Sequence, residues 1–450
     1  MRLLLVLLVY ASGAAVGLRV FVYAAALFLW SDIFQPLEFA KSNGRFPVAQ
    51  FVTAALLGSF LLGWFQGRIR PRLGPFFWLF CLLLAWIGVT TILSPFPEVA
   101  REKFILYLKY LVPLAAIHSA LTTKHEIRVL AAALAGSVGV WACQAGAYTL
   151  VNGARTDLGI PGGQMGDRND FAAAIVGTVP ILFYFMITYR WRFKLLVRIG
   201  FAGAIFLSLS AIFFSLSRGA SLGLAAQLIL YVGYVSKRKI RDVIMIAVAV
   251  VALFFMLPDS WYERMSTIKV SGEQTEGSAK ARMNLIKGAW QASLDHPVFG
   301  LGPEGWLEVA EAYTGDNHNP HNIYLVLTSE TGFPGLILYL VVVIFTYVRV
   351  SRVISLALKR GDKETAVMGS ALITSIFGLL SAMTFLNRPF NEYLWAWLCI
   401  ANTLPAIYAA ETRRKSGIQG RGNLPRPGGP RGPAPRPGIP GDAIPPPASA

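Results

Sequence analysis

Apolar residues run along this chain in long unbroken blocks, not in the alternation of a barrel strand or the one-sided stripe of a soluble helix. The blocks are Val48 to Phe65, Phe76 to Leu93, Phe104 to Ala120, Val129 to Val151, Phe171 to Tyr189, Ile199 to Leu216, Leu222 to Val235, Val243 to Leu257, Gly335 to Val348, Val367 to Leu386 and Tyr393 to Tyr408. About 20 apolar residues of helix cross a bilayer, and backbone polar groups in lipid need partners within their own segment. The pattern therefore predicts an all-α, polytopic membrane helical bundle. The first block, Leu3 to Trp30, is divided by Arg19 and reads as one long helix or two short ones, so the total is eleven to thirteen spans. Its apolar run continues past any small-residue cleavage site, which argues against a cleaved signal peptide.

Charge adds an orientation. Lys and Arg concentrate in alternate connections: Arg68/Arg70/Arg72, Lys124/Arg128, Arg190/Arg192/Lys194/Arg198, Lys237/Arg238/Lys239/Arg241, Arg349/Arg352/Lys359/Arg360/Lys363 and Arg413/Arg414/Lys415. The positive-inside rule puts these in the cytoplasm and the intervening connections outside. This alternation accounts for most of the net charge of +17 without nucleic acid as a partner. A hydrophobic content of 55%, only 14% charged residues and a mean hydropathy of +0.53 fit the same class. Cys81, Cys143 and Cys399 lie inside apolar blocks and read as small core residues.

The chain then divides into an N-terminal transmembrane region (1–165), central helices (166–257), a large external loop (258–332), C-terminal helices (333–415) and a Pro/Gly-rich tail (416–450). The tail is expected to be a disordered cytoplasmic extension, because it has too little apolar area to offset its ordering entropy.

Residues 258–332 form the only long hydrophilic region, and a loop of that length is uncommon without structure or function of its own. Ser278 to Leu294 predicts an amphipathic helix lying on the membrane or on the bundle, with Met283, Ile286, Trp290 and Leu294 at helical spacing and Lys280, Arg282 and Lys287 off that stripe. A turn-rich stretch, His296 to Gly305, follows. Next, Asn319-Pro320 predicts an N-cap and first helical position, which places His321 in the first turn of a helix. The positive end of a helix disfavours imidazolium and favours an anion alongside. A neutral His321 can take a proton from a hydroxyl; equally, it can simply cap or pack.

Ser215-Leu216-Ser217-Arg218-Gly219-Ala220-Ser221 joins two spans at their external ends, where Arg218 either binds an anion or snorkels to lipid phosphate. Arg282 alone reads as a solvated face, Arg168 as a partner of Asp167 or Asp170, and Arg388 as a helix-end marker that can touch an anion. Lys109, the one cation deep in a span, either lines a cavity or reaches an acid such as Glu102. Asp32, Glu38 and Lys41 read as ordinary surface charge in an external loop.

No Asp-x-Asp, His-Glu-x-x-His or clustered Cys/His pattern occurs, which disfavours a metal or other cofactor, and no Walker A motif occurs. External arginines suited to pyrophosphate and a histidine suited to a hydroxyl fit glycosyl transfer from a lipid-linked donor. A polysaccharide flippase or other transporter would instead put its ionisable groups near the bilayer midplane. A noncatalytic scaffold would tolerate loss of His321.

Four motifs carry a resemblance: Phe214-Ser215-Leu216-Ser217-Arg218-Gly219-Ala220; Arg282 ahead of Trp290; His296-Pro297-Val298-Phe299-Gly300-Leu301-Gly302; and Pro320-His321-Asn322-Ile323-Tyr324-Leu325 with Glu330-Thr331-Gly332-Phe333-Pro334-Gly335. In this order and spacing the chain, from about Gly166 to Ala410, resembles the O-antigen ligase and polymerase superfamily of bacterial envelope enzymes. Its N-terminal third looks like the branch of exosortase-associated O-glycosylation ligases. The resemblance implies a GT-C-like fold in the bacterial inner membrane and transfer of a glycan from undecaprenyl pyrophosphate to an acceptor hydroxyl at the periplasmic face, without metal. A lipid-linked glycan polymerase is the alternative within the superfamily. By motif, Arg218 and Arg282 would hold the pyrophosphate and His321 would be the base. His318 is the alternative base, and His318, Asn322 and Arg388 are further candidate substrate contacts.

Overall fold

The computed structural model describes residues 2–40, 47–153, 158–163, 165–188, 194–232, 240–241, 244 and 272–422. Its helices are α1 (Arg2–Arg19), α2 (Phe21–Phe34), α3 (Pro36–Phe39), α4 (Val48–Phe65), α5 (Pro75–Ile92), α6 (Pro97–Ala120), α7 (Lys124–Asn152), α8 (Arg168–Thr188), α9 (Lys194–Phe214), α10 (Arg218–Leu230), α11 (Gly272–Asp295), α12 (Gly305–Thr314), α13 (Ile323–Lys359), α14 (Lys363–Met383), α15 (Glu392–Ala401) and α16 (Leu404–Gly422). Among the described residues no strand forms, and 8 helices are long and apolar enough to cross a membrane. The chain is a polytopic helical membrane protein. The expected span at Val243 to Leu257, and the basic connections at 190–192 and 237–239, lie outside the described residues.

The first apolar block folds as two helices. They form an antiparallel hairpin in which Tyr10 and Ser31 share a hydrogen bond of 2.8 Å, and Gly17 packs so closely on Ala24 that a Cβ would stand 2.8 Å from it. Residues 1–408 form one compact unit and 409–450 a second. In the second, the backbone remains helical as far as Gly422, past the expected start of the disordered tail at Ser416. Ala409 to Lys415, good helix formers apart from Thr412, carry the helix that far. Residues 423–450 lie outside the described part.

Three of the basic connections meet at one end of the bundle. Arg72 donates its amide to the Ser119 carbonyl at 2.9 Å, Lys124 pairs with Asp362 at 3.1 Å and Arg128 with Glu364 at 2.5 Å. Thr123 and Glu126 form a capping box on α7, and Asp362 caps α14 by accepting from the Thr365 amide. α15 is apolar all round and buried all round, its Trp395 and Trp397 among the largest enclosed side chains. Lys109 neither lines a cavity described below nor turns inward. It lies on the outer face of α6 with exposed Ile105 and Val112.

The described part of the external loop builds a small core of its own from Leu285, Ala289, Ala292, Leu301, Trp306 and Ala310. The amphipathic helix forms, but a different face turns inward. Leu285, Ala289 and Ala292 are buried, while Met283 (51%), Trp290 (47%) and Leu294 (47%) remain exposed. The small residues are chosen for the inner face because α12 approaches closely: a Cβ on Gly288 would lie 2.3 Å from the Thr314 methyl.

Candidate active site

The segment from His296 to Gly302 is pinned to a break in α13. Gly332 has φ 68°, ψ 176° there, and Pro334 supplies no amide. A helix interrupted in this way leaves carbonyls without their normal donors. The neighbouring loop provides replacements. Leu301 donates to the Ser329 carbonyl at 2.8 Å and Gly302 to the Glu330 carbonyl at 2.8 Å, while Phe333 donates back to Pro297 at 2.9 Å. The Trp86 indole of α5 donates to Thr331 at 2.9 Å. Trp86 also stacks on Phe299, with ring centroids 5.7 Å apart. Two of the motifs read from the sequence thus complete one another's hydrogen bonding and fix the start of α13.

The N-cap of α13 is Asn322, not Asn319. Its side-chain oxygen accepts from the amides of Tyr324 (3.0 Å) and Leu325 (3.2 Å). That oxygen is committed to capping, which bears on the substrate contact expected of Asn322. His321 therefore precedes the cap instead of lying in the first turn, and holds a left-handed φ of 47°.

His321 is accessible to solvent, yet the protein packed around it strips enough hydration to lower its pKa from the ordinary value of 6.5. The Arg282 guanidinium lowers it further, His318 acts in the same direction, and Asp167 opposes them. Arg282, His318 and Asp167, just before α8, thus lie within electrostatic reach of His321. His318 is exposed and its ring Nδ1 meets the Asp316 carboxylate. Its carbonyl accepts from the Trp306 indole at 3.0 Å.

Arg218 is the exposed first residue of α10, whose N-cap Ser217 accepts from Ala220. Gly219 beside it abuts the Ala382 carbonyl near the C-terminus of α14, 2.9 Å from where a Cβ would stand. This is the end of α14 opposite Asp362 and the basic connections. Arg388 follows in the next turn and is the cation that acts on Asp170, a role the sequence reading gave to Arg168.

Arg388 also lines a cavity of about 560 Å³ together with Asp32, Glu392, Lys103, Glu304 and Glu330. The sequence reading missed this site. Asp32, taken for surface charge in a loop, lies within α2 and hydrogen-bonds Glu392. The signal was available: an acid inside an apolar block is costly unless the interior receives it. Glu38 is exposed, as expected, and Lys41 lies outside the described residues.

Residues 203–340 match the model of the O-antigen ligase family. That stretch is O-antigen ligase-like, which supports the O-antigen ligase/polymerase superfamily. Residues 1–189 match a family of unknown function (DUF5935), and no curated protein matches the chain. The O-antigen ligase match contains Arg218, Arg282, His318, His321 and Asn322, whereas Arg388 lies beyond it. The match and the apolar helices together support a multi-pass membrane protein with a glycosyltransferase-like ligase region.

Proposed function

We propose that this O-antigen ligase-like protein transfers a glycan from undecaprenyl pyrophosphate to an acceptor hydroxyl at the periplasmic face of the bacterial inner membrane. The observation that carries the reading is the electrostatic coupling of His321 to Arg282: an accessible histidine whose pKa is lowered by partial desolvation and by a guanidinium that can itself hold phosphate. In the reaction, the acceptor oxygen attacks the anomeric carbon as its proton passes to the His321 ring. The bond from that carbon to the pyrophosphate oxygen breaks, and undecaprenyl pyrophosphate leaves with the electron pair. The product has inverted configuration. Arg282 and Arg218 stabilise the charge that grows on the leaving group, and a well-placed donor of this kind is worth about 10²–10³ in rate. The left-handed backbone of His321 is the kind of strain that persists where it serves a function. No step requires a metal ion.

His318 is the rival base, since Asp316 orients its ring in the manner of a carboxylate behind a general base. Release of undecaprenyl pyrophosphate by purified His321→Ala and His318→Ala decides between them. His321→Ala should lose activity and His318→Ala should keep most of it. Full activity in both removes histidine from the mechanism.

A further inference from the structure

The 560 Å³ cavity falls within the ~300–1,000 Å³ range of small-molecule sites. Its charged lining comprises four acids, Asp32, Glu304, Glu330 and Glu392, against two bases, Lys103 and Arg388. Both bases are engaged by acids. Lys103 pairs with Glu304, and Arg388 acts on Asp170 and Glu392. Such a lining, with carboxyl and amide groups beside bases already paired, suits a neutral group rich in hydroxyls, while the pyrophosphate belongs with Arg282 and His321.

An independent observation comes from Tyr107, which is 6% exposed and lines the cavity. Among the described residues its hydroxyl has no hydrogen-bond partner. Tyr107 lines the cavity, and a ligand hydroxyl could pair with its phenol there. Its ring is held by Phe390, with centroids 4.8 Å apart, and by Lys103 at 5.8 Å. Glu330, also 6% exposed, stands nearby on the cavity wall. Asn319 lines the same cavity two residues before His321, so the cavity adjoins the candidate base.

From this arrangement we infer that the cavity seats one neutral, hydroxyl-bearing sugar ring of the glycan substrate, with the Tyr107 hydroxyl and the Glu330 carboxylate hydrogen-bonding its hydroxyl groups. The inference rests on the transferase reading for the nature of the substrate, but its test does not need turnover. Saturation-transfer NMR on the full chain in a sugar-free detergent would use methyl glycosides of glucose, galactose, mannose, rhamnose and N-acetylglucosamine. At least one should give a signal that falls fivefold or more in Tyr107→Phe and in Glu330→Gln, each with an unchanged melting temperature, and that survives in Arg282→Ala. No signal from any glycoside, or equal signals in both cavity variants, overturns the assignment. Glycoside binding without glycan transfer would refute the transferase reading alone, and transfer without cavity-dependent binding would refute the cavity alone. A glycan-pyrophosphate lipid that abolishes the glycoside signal assigns the ring to the donor. One that leaves the signal in place assigns it to the acceptor.

Discussion

Gly332 lies so close to Val298 that a Cβ on the glycine would stand 2.0 Å from the Val298 carbonyl oxygen. The contact seats the loop from His296 to Gly302 in the break of α13. Gly332→Ala must both strain a φ of 68° and push that loop away, so it should cost at least about 2 kcal/mol. Gly315 is the control, because it has φ 72° but nothing within 4 Å of a Cβ. There alanine meets only the conformational penalty of about 1 kcal/mol. Thermal unfolding of the two variants in detergent should separate them clearly.

The electrostatic effect of Arg282 on His321 sets the expected pH dependence. A base whose pKa lies below 6.5 is neutral at pH 7 and loses activity only as the pH falls through that lowered value. Arg282→Ala removes one of the groups holding the value down. The acid limb of kcat/KM should therefore move to higher pH, apart from any fall in rate. An unmoved limb in a variant with measurable activity would show that His321 is not the titrating base.

At the opposite end, Asp362 joins a helix cap to an ion pair with Lys124. Burial acts to raise its pKa, but hydrogen bonds from Thr365 and Lys124 outweigh it, and the net shift is downward. Its contribution to stability is thus complete above the unfolded value of about 3.9 and is lost as pH falls through the lower folded value. At pH 7, Asp362→Ala should cost about 1–2 kcal/mol by melting. Asp362→Asn, which still caps, should cost less than that.

Sidedness follows from the two ends. Cysteine placed by Asn317→Cys should react from the periplasm with a membrane-impermeant maleimide, and cysteine placed by Lys359→Cys should not, in a chain whose Cys81, Cys143 and Cys399 are replaced by serine. The reverse pattern would place the candidate site on the cytoplasmic face.

Much of this fold was legible in apolar block length and in the alternation of basic connections, because lipid enforces both. The face that α11 buries was not. Periodicity marked Met283, Ile286, Trp290 and Leu294 as the apolar stripe, laid on membrane or bundle, but close approach by α12 selects small residues for the inner face, and closeness between helices leaves little trace in hydropathy. The start of α13 was displaced by one residue type: Asn319 and Asn322 are equally good caps, and only the tertiary setting chooses between them. Arg282 and His321 could be singled out because their motifs are local. The cavity was harder to see, since Asp32, Tyr107, Glu330 and Glu392 come from four distant helices, and Asp32 in its apolar block gives a signal without naming its partners.

The most direct test reconstitutes the full chain in liposomes with an undecaprenyl pyrophosphate-linked glycan and candidate acceptors, in the presence of EDTA, and measures released undecaprenyl pyrophosphate. The account predicts release by the wild-type protein that drops at least about 10²-fold in Arg218→Ala and in Arg282→Ala, both inserted and folded. Release that needs added metal, or that continues undiminished without either arginine, would contradict it.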